Sequence, residues 1–178
     1  MDKIYFSDLK NVSETNMLGS ESTLYNCFLN NKFYLYKQPN DFNDDLARKM
    51  ITLSNISNPY LMTPKFIIYG NNYDKPIGYL LGFLENYQSL YYLNTTREEK
   101  IKILRNVKKA IIAMHNEGII HGDLHIANIM CNKDDVKIID FDGSKYLNYS
   151  LNHLNLYSKE YLKENKVSSS IDIYNFNI

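Results

Sequence analysis

In the first third of the chain, apolar and aromatic residues gather in short runs that read as strands. LYNCFL (24–29) and KFYLY (32–36) are two such runs, and Asn30-Asn31 between them suits a tight hairpin turn. From residue 41 to about residue 56 the spacing changes. Phe42, Leu46, Met50, Leu53 and Ile56 recur at three and four, one face of a helix, with Asp41 as N-cap and Pro59 barring continuation. KFIIY (65–69), the turn-rich GNNYDKP and the apolar run 77–84 predict a second hairpin. The strongest helical pattern covers 96–117. Thr95 or Thr96 can cap it, Glu98 and Glu99 suit its first turn, and Gly118 suits the position just past its end. Its apolar stripe is Ile101, Ile103, Leu104, Val107, Ala110, Ile111 and Met114. VKIIDF (136–141), entered through the turn NKDD, reads as a buried strand, and 168–178 begins another helix after a run of serines. The pattern predicts an α+β fold in which a small sheet precedes a mainly helical part. No repeat, low-complexity linker or clear break divides the chain, so a single domain is expected.

Composition narrows this picture mainly by exclusion. The 178 residues are 44% hydrophobic and 22% charged, enough for one domain with a core. Twenty basic residues balance twenty acidic ones, which gives no electrostatic argument for nucleic acid or an anionic membrane as partner. Cys27 and Cys131 lie far apart without CxxC spacing, so neither a zinc site nor a disulfide framework is indicated. MDKIYFSDLK lacks the basic and apolar regions of a signal peptide, and the run 77–84 is too short to span a bilayer. A cytoplasmic location is expected.

The chemistry concentrates in HGDLHIAN (121–128), between the long helix and the apolar triplet 129–131. Asn128 follows Asp123 by five residues, and Asp140 ends the next strand twelve residues later. Metal-assisted phosphoryl transfer needs such a set: one carboxylate to take the hydroxyl proton, and an amide oxygen and a second carboxylate to hold Mg²⁺. Mg²⁺ prefers hard oxygen ligands and few protein contacts, so few side chains suffice. Without Asp140, the loop alone would be an ordinary turn.

These residues carry a resemblance. HGDLHIAN matches the pattern HxDLxxxN, and IIDFDG matches the strand and DFG that follow it, so the chain resembles protein-kinase-fold phosphotransferases, most closely the bacterial serine/threonine protein kinase type. The resemblance implies a bilobal fold: residues 1–86 as a sheet-rich N-lobe with one helix and the hinge, and 87–178 as a partial C-lobe. It implies ATP and Mg²⁺ as cofactors, Asp123 as catalytic base, and Asn128 and Asp140 as metal ligands, with Asp140 also facing the nucleotide. His121 would pack near Phe141. Lys37, in KFYLYK, would neutralise the α- and β-phosphates. Gly19 and Ser20, in LGSESTLY, would stand in the phosphate loop, and backbone groups around Leu84, Glu85 and Tyr87 would meet the adenine. His125 stands where a serine/threonine kinase carries lysine, as a phosphate contact or a loop-packing residue. Asp172 would tie down the catalytic loop from the last helix.

The chain also departs from the pattern. The phosphate loop keeps only Gly19. The helix 41–56 has no glutamate for Lys37; Lys49 falls near the expected position and Asp44 and Asp45 a turn earlier, with Asp45 the candidate substitute. Gly122 replaces the common arginine, so no basic pocket for an activation-loop phosphate is expected. HGDLHxxN is frequent in aminoglycoside- and choline-kinase-like enzymes. Three functions therefore stay open: transfer to a protein Ser or Thr hydroxyl, transfer to a small hydroxylated molecule, or a pseudokinase that serves as a nucleotide-binding interaction module. The Tyr-rich stretch 87–92 is expected to pack in hinge and helix, His115 to be surface or structural, and Cys131 to be buried. The start of a helix at 168–178 predicts a fragment or a truncated C-lobe.

Overall fold

Period-two burial builds a sheet in the first part of the chain and helical periodicity packs the second. The computed structural model describes residues 3–15, 21–71, 75–152, 154 and 156–176. The chain divides into two compact units: Met1–Ile56 with Thr63–Leu84, and Ser57–Met62 with Glu85–Ile178.

The first unit is a six-stranded sheet in the order β1-β5-β6-β4-β3-β2. Its strands are β1 (Ile4–Tyr5), β2 (Lys10–Glu14), β3 (Ser22–Leu29), β4 (Lys32–Pro39), β5 (Phe66–Tyr69) and β6 (Pro76–Gly82). Only β1 and β5 run parallel; the other neighbours are antiparallel. The expected Asn30-Asn31 hairpin is present, both residues having positive φ (50° and 60°), which the mirror-image two-residue turn requires. Leu9, Cys27, Leu29, Tyr34, Tyr36, Ile68 and Leu80 form one buried cluster. Gly78 lets two strands close at this point, since a Cβ there would lie 2.5 Å from the Lys37 carbonyl and 2.6 Å from the Tyr36 ring. The helix of this unit, α1 (Asp44–Leu53), is shorter than the expected 41–56. Asn43, not Asp41, caps it: its Oδ1 accepts from the Leu46 amide at 3.0 Å, while Asp41 accepts from the Asn43 side chain. The helix ends at Leu53, well before Pro59, where the Ser54 hydroxyl turns back to the Ile51 carbonyl.

In the second unit, α2 (Arg97–Asn116) carries a complete capping box between Thr96 and Glu99. It ends in a Schellman motif: Gly118 (φ 78°) donates to the His115 carbonyl and Ile119 to that of Met114. The buried stripe is narrower than the sequence pattern. Ile103, Val107, Ala110, Ile111 and Met114 face inward, whereas Ile101 and Leu104 are on the solvent side. A heptad-like count cannot separate the two, because Ile101 and Leu104 lie at helical spacing from each other as well. A small sheet of β7 (Gln88–Ser89), β8 (Ile129–Cys131) and β9 (Val136–Ile138) packs beside α2. Ser57–Met62 joins it as a strand-like segment, with Ile138 donating to Tyr60 and Met62 to Ile138. Two short helices close the chain, α3 (Leu156–Tyr161) and α4 (Ser170–Phe176). Cys131 is buried, as expected, and burial pushes its thiol up. No helix among the described residues is long and apolar enough to cross a membrane.

Candidate active site

The polar loop 121–128 emerges from the Schellman turn of α2 and is fixed in place before it reaches Asp123. Ile120 and Lys145 exchange two backbone hydrogen bonds. The next two amides, His121 and Gly122, donate to the two oxygens of Asp172 at 2.9 and 2.8 Å. Asp172 lies on α4, fully buried, and its Oδ2 also takes the Nε2–H of His115 at 3.0 Å. A buried carboxylate is tolerable only when saturated with donors, and three donors meet it here. The tethering role expected of Asp172 is what its geometry supports, and His115 becomes structural through the same bond.

His121 is spent on packing. Its Nδ1 accepts from the Asp123 amide at 3.3 Å, which leaves the proton on Nε2 for the Ile139 carbonyl at 2.8 Å. Its ring lies 5.4 Å from that of Phe141. Asp123 itself is partly open, its side chain about one-third exposed. Asn128 is buried, and its Nδ2 donates to the Asp123 carbonyl at 2.9 Å. That bond uses the amide nitrogen, and no donor to Oδ1 occurs among the described residues. Ile139 donates to the Asn128 carbonyl at 3.0 Å, so Asn128 and the start of the Asp140 turn are adjacent. Asp140 is exposed and has φ 69°, a left-handed turn that ends the strand abruptly. An amide oxygen and a neighbouring carboxylate are hard donors that fit Mg²⁺ with the remaining positions filled by water or phosphate. No group of three or more His, Cys, Asp or Glu side chains that could hold a metal ion occurs among the described residues.

His125 caps the short 3-10 turn 126–128, its Nδ1 accepting from the Ala127 amide at 3.2 Å. A neutral ring must then carry its proton on Nε2, which lies 3.7 Å from Asp123 Oδ2. The Nε2 approach to Asn128 Nδ2 at 3.3 Å is consequently donor against donor and holds nothing together. His125 thus presents a proton toward the carboxylate of Asp123.

The remaining expected residues are spread over both units. Lys37 is buried in β4, paired in register with Leu24 and Tyr79. Asp44 and Asp45 are exposed in the first turn of α1, where they suit the helix dipole, and the charged residue that α1 buries, beside Ala47, Met50 and Leu53, is Lys49, only 2% exposed. Asp45 therefore does not fill the place of a buried acid. Gly19 and Ser20 lie outside the described residues. Leu84 ends the first unit; Glu85 opens the second and is exposed. Tyr87 is anchored, donating to Asp135 Oδ2 at 2.6 Å. The packing expected of the stretch 87–92 fails at its far end, where Tyr91 and Tyr92 are 62% and 73% exposed and pack edge-to-face on each other. Two residues that touch this loop, Ser158 and Asn175, were not legible as site residues in the sequence.

Residues 35–178 match the family model of the protein kinase domain. The chain is 30% identical over 122 residues to mitogen-activated protein kinase kinase 7 of Arabidopsis thaliana, covering 65% of this chain and 38% of that protein. It is also 30% identical over 146 residues to mitogen-activated protein kinase kinase 9 of the same plant, covering 75% of this chain and 46% of the relative. A shorter match, 37% over 49 residues, links it to the KEOPS complex subunit Bud32 of Pyrococcus abyssi, covering 28% of this chain and 22% of that one. The chain thus spans less than half of each of these relatives. They come from a plant and an archaeon and lend no support to the bacterial type.

Proposed function

The chain belongs to the protein kinase family, and on that premise we propose that it transfers the γ-phosphoryl group of ATP, with Mg²⁺, to a serine or threonine hydroxyl of a protein. One observation carries the reading: the loop holds the Asp123 backbone at both ends and leaves its carboxylate partly open beside Asn128. Asn128 spends its amide nitrogen on the Asp123 carbonyl. Asp123 orients the acceptor hydroxyl and takes its proton. Asn128 Oδ1 and Asp140 would hold the metal, which would supply neutralisation of phosphate charge. His125 offers its Nε2–H beside Asp123, suited to a phosphate oxygen entering there. Lys37 is the proposed partner of the α- and β-phosphates. Gly19 and Ser20 would serve the phosphate loop, and the backbone from Leu84 to Tyr87 the adenine.

The test is transfer from Mg·ATP to a mixed protein substrate, read by labelled phosphate. Asp123→Asn is expected to lower kcat by at least about a hundredfold, the usual worth of a positioned base, with the ATP-dependent thermal shift kept. Unchanged turnover in that variant would remove Asp123 from the role. A second reading, transfer to a small hydroxylated molecule, is favoured by Gly122, whose left-handed φ of 78° disfavours an arginine there. Phosphorylation of an aminoglycoside or choline in place of protein would select it. A protein that binds Mg·ATP and transfers to neither acceptor would be a pseudokinase.

A further inference from the structure

Gly122 C=O and Asp123 N–H belong to a single peptide plane, so whatever grips the carbonyl also sets the direction in which the Asp123 side chain leaves the loop. The N–H end is held by His121 Nδ1. The C=O end is held twice, by the hydroxyl of Ser158 on α3 and by Asn175 Nδ2 on α4 at 3.3 Å. Asn175 Nδ2 also donates to Ser158 Oγ at 2.6 Å, locking the two holders together. Ser158 is fully buried and Asn175 is 5% exposed. The Tyr161 and Tyr174 rings, 5.5 Å apart, dock α3 on α4 and bring the pair into register.

We propose that Ser158 and Asn175 are positioning residues for the base Asp123, acting through the Gly122 carbonyl. Glycine at 122 makes such a clamp necessary. With φ at 78° and no side chain, its ψ has few steric limits of its own, and an unheld carbonyl could swing and carry Asp123 with it. The amide orientation of Asn175 is fixed by the arrangement, because flipping it would set its oxygen against the Gly122 carbonyl. The consequence is an orphan: Asn175 Oδ1 is buried and meets no donor among the described residues. An apolar residue would fill that space at less cost, so the gain from Asn175 lies in geometry rather than in stability. The clamp is neutral. It fixes the segment after Asp140 to the catalytic loop without an arginine or a modified side chain.

The inference rests on the phosphotransfer reading for its kinetic arm and on the fold alone for its exchange arm. Asn175→Ala and Ser158→Ala are expected to lower kcat roughly tenfold or more with KM for ATP unchanged, and the double variant to add little, because both donors serve one acceptor. Ser158→Thr, which keeps the hydroxyl, should recover most of the Ser158→Ala loss. Amide hydrogen exchange of Asp123 and Leu124 should rise roughly tenfold in Asn175→Ala while that of α2 stays unchanged. If wild-type chain transfers no phosphate, the functional reading fails and the exchange result still judges the clamp. Unaltered exchange at 123–124, or equal loss of protection throughout the second unit, would overturn it.

Discussion

Replacing Gly122 by alanine separates what the catalytic loop needs from what its residues merely resemble. A Cβ at this position would lie 2.3 Å from Leu151 Cδ1, and φ is 78°. Leu151 is a flexible side chain that can give way, but the left-handed backbone cannot be relieved, and it costs an L-residue roughly 1–2 kcal/mol. Gly122→Ala should therefore destabilise the chain by about 2 kcal/mol in chemical denaturation, and adding Leu151→Ala should recover only the smaller part. A full recovery would place the cost in the contact instead. In the sequence, Gly122 was visible only as a letter where arginine is common. Its reason, the backbone angle, depends on Asp172 taking the adjacent amides, fifty residues away. Asp123, Asn128 and Asp140 could be named as candidates because a motif places them locally. Ser158 and Asn175 were not, since their significance comes from what α3 and α4 bring to Gly122. Asn175 did leave a trace: it stands four residues after Ile171, on the inward face of α4, where an apolar residue is expected.

Helix α2 and the hairpin of β8 and β9 test the same distinction at the level of elements. The α2 boundaries followed from local chemistry, a capping box at one end and glycine at the other, so they were readable. Thr96→Ala should cost about 1 kcal/mol, measured by thermal or urea unfolding, since it removes a side-chain acceptor for the Glu99 amide. The start of α1 was misread because Asp41, Asn43 and Asp44 are all plausible caps, and only the backbone angle selects Asn43. The hairpin is held to residue 87 by a cluster that no period reveals. Burial works to raise the Asp135 carboxyl, but hydrogen bonds from Lys137 and Tyr87 outweigh it and leave it below its ordinary value of 3.8. Burial and the bond to Asp135 push Tyr87 up to about 12. A lowered acid stabilises the fold above its unfolded value, and that contribution fades as pH falls below 3.8. A raised phenol stabilises below its unfolded value near 10, and is lost as pH rises toward 12. Asp135→Asn should lower stability at pH 7 by no more than about 1 kcal/mol, because the group is partly solvated. The difference from wild type should close in acid. Tyr87→Phe should show a deficit at pH 7 that closes above about pH 10. Either difference persisting across its window would remove that bond from the account.

At the scale of the whole molecule, charge and exposed apolar surface act together. Formal net charge is zero and the isoelectric point is about 6.9, so near neutral pH no long-range repulsion keeps copies apart. On α2, Ile101, Leu104 and Ile112 are 41%, 47% and 49% exposed, the first two part of the stripe that the hydrophobic pattern had assigned to the core. Surface of this kind promotes association when repulsion is weakest. Light scattering of the chain at low salt should therefore peak near the isoelectric point, about 6.9, and fall on either side as net charge departs from zero. Leu104→Glu with Ile112→Glu should suppress the peak by two routes, loss of apolar surface and a shift of net charge to −2 at pH 7. Glutamates introduced instead at Lys108 and Lys109 shift the charge further, to −4, and leave Ile101, Leu104 and Ile112 in place. Scattering suppressed only by the first pair would assign association to the α2 face; suppression by the second pair alone would assign it to the missing charge.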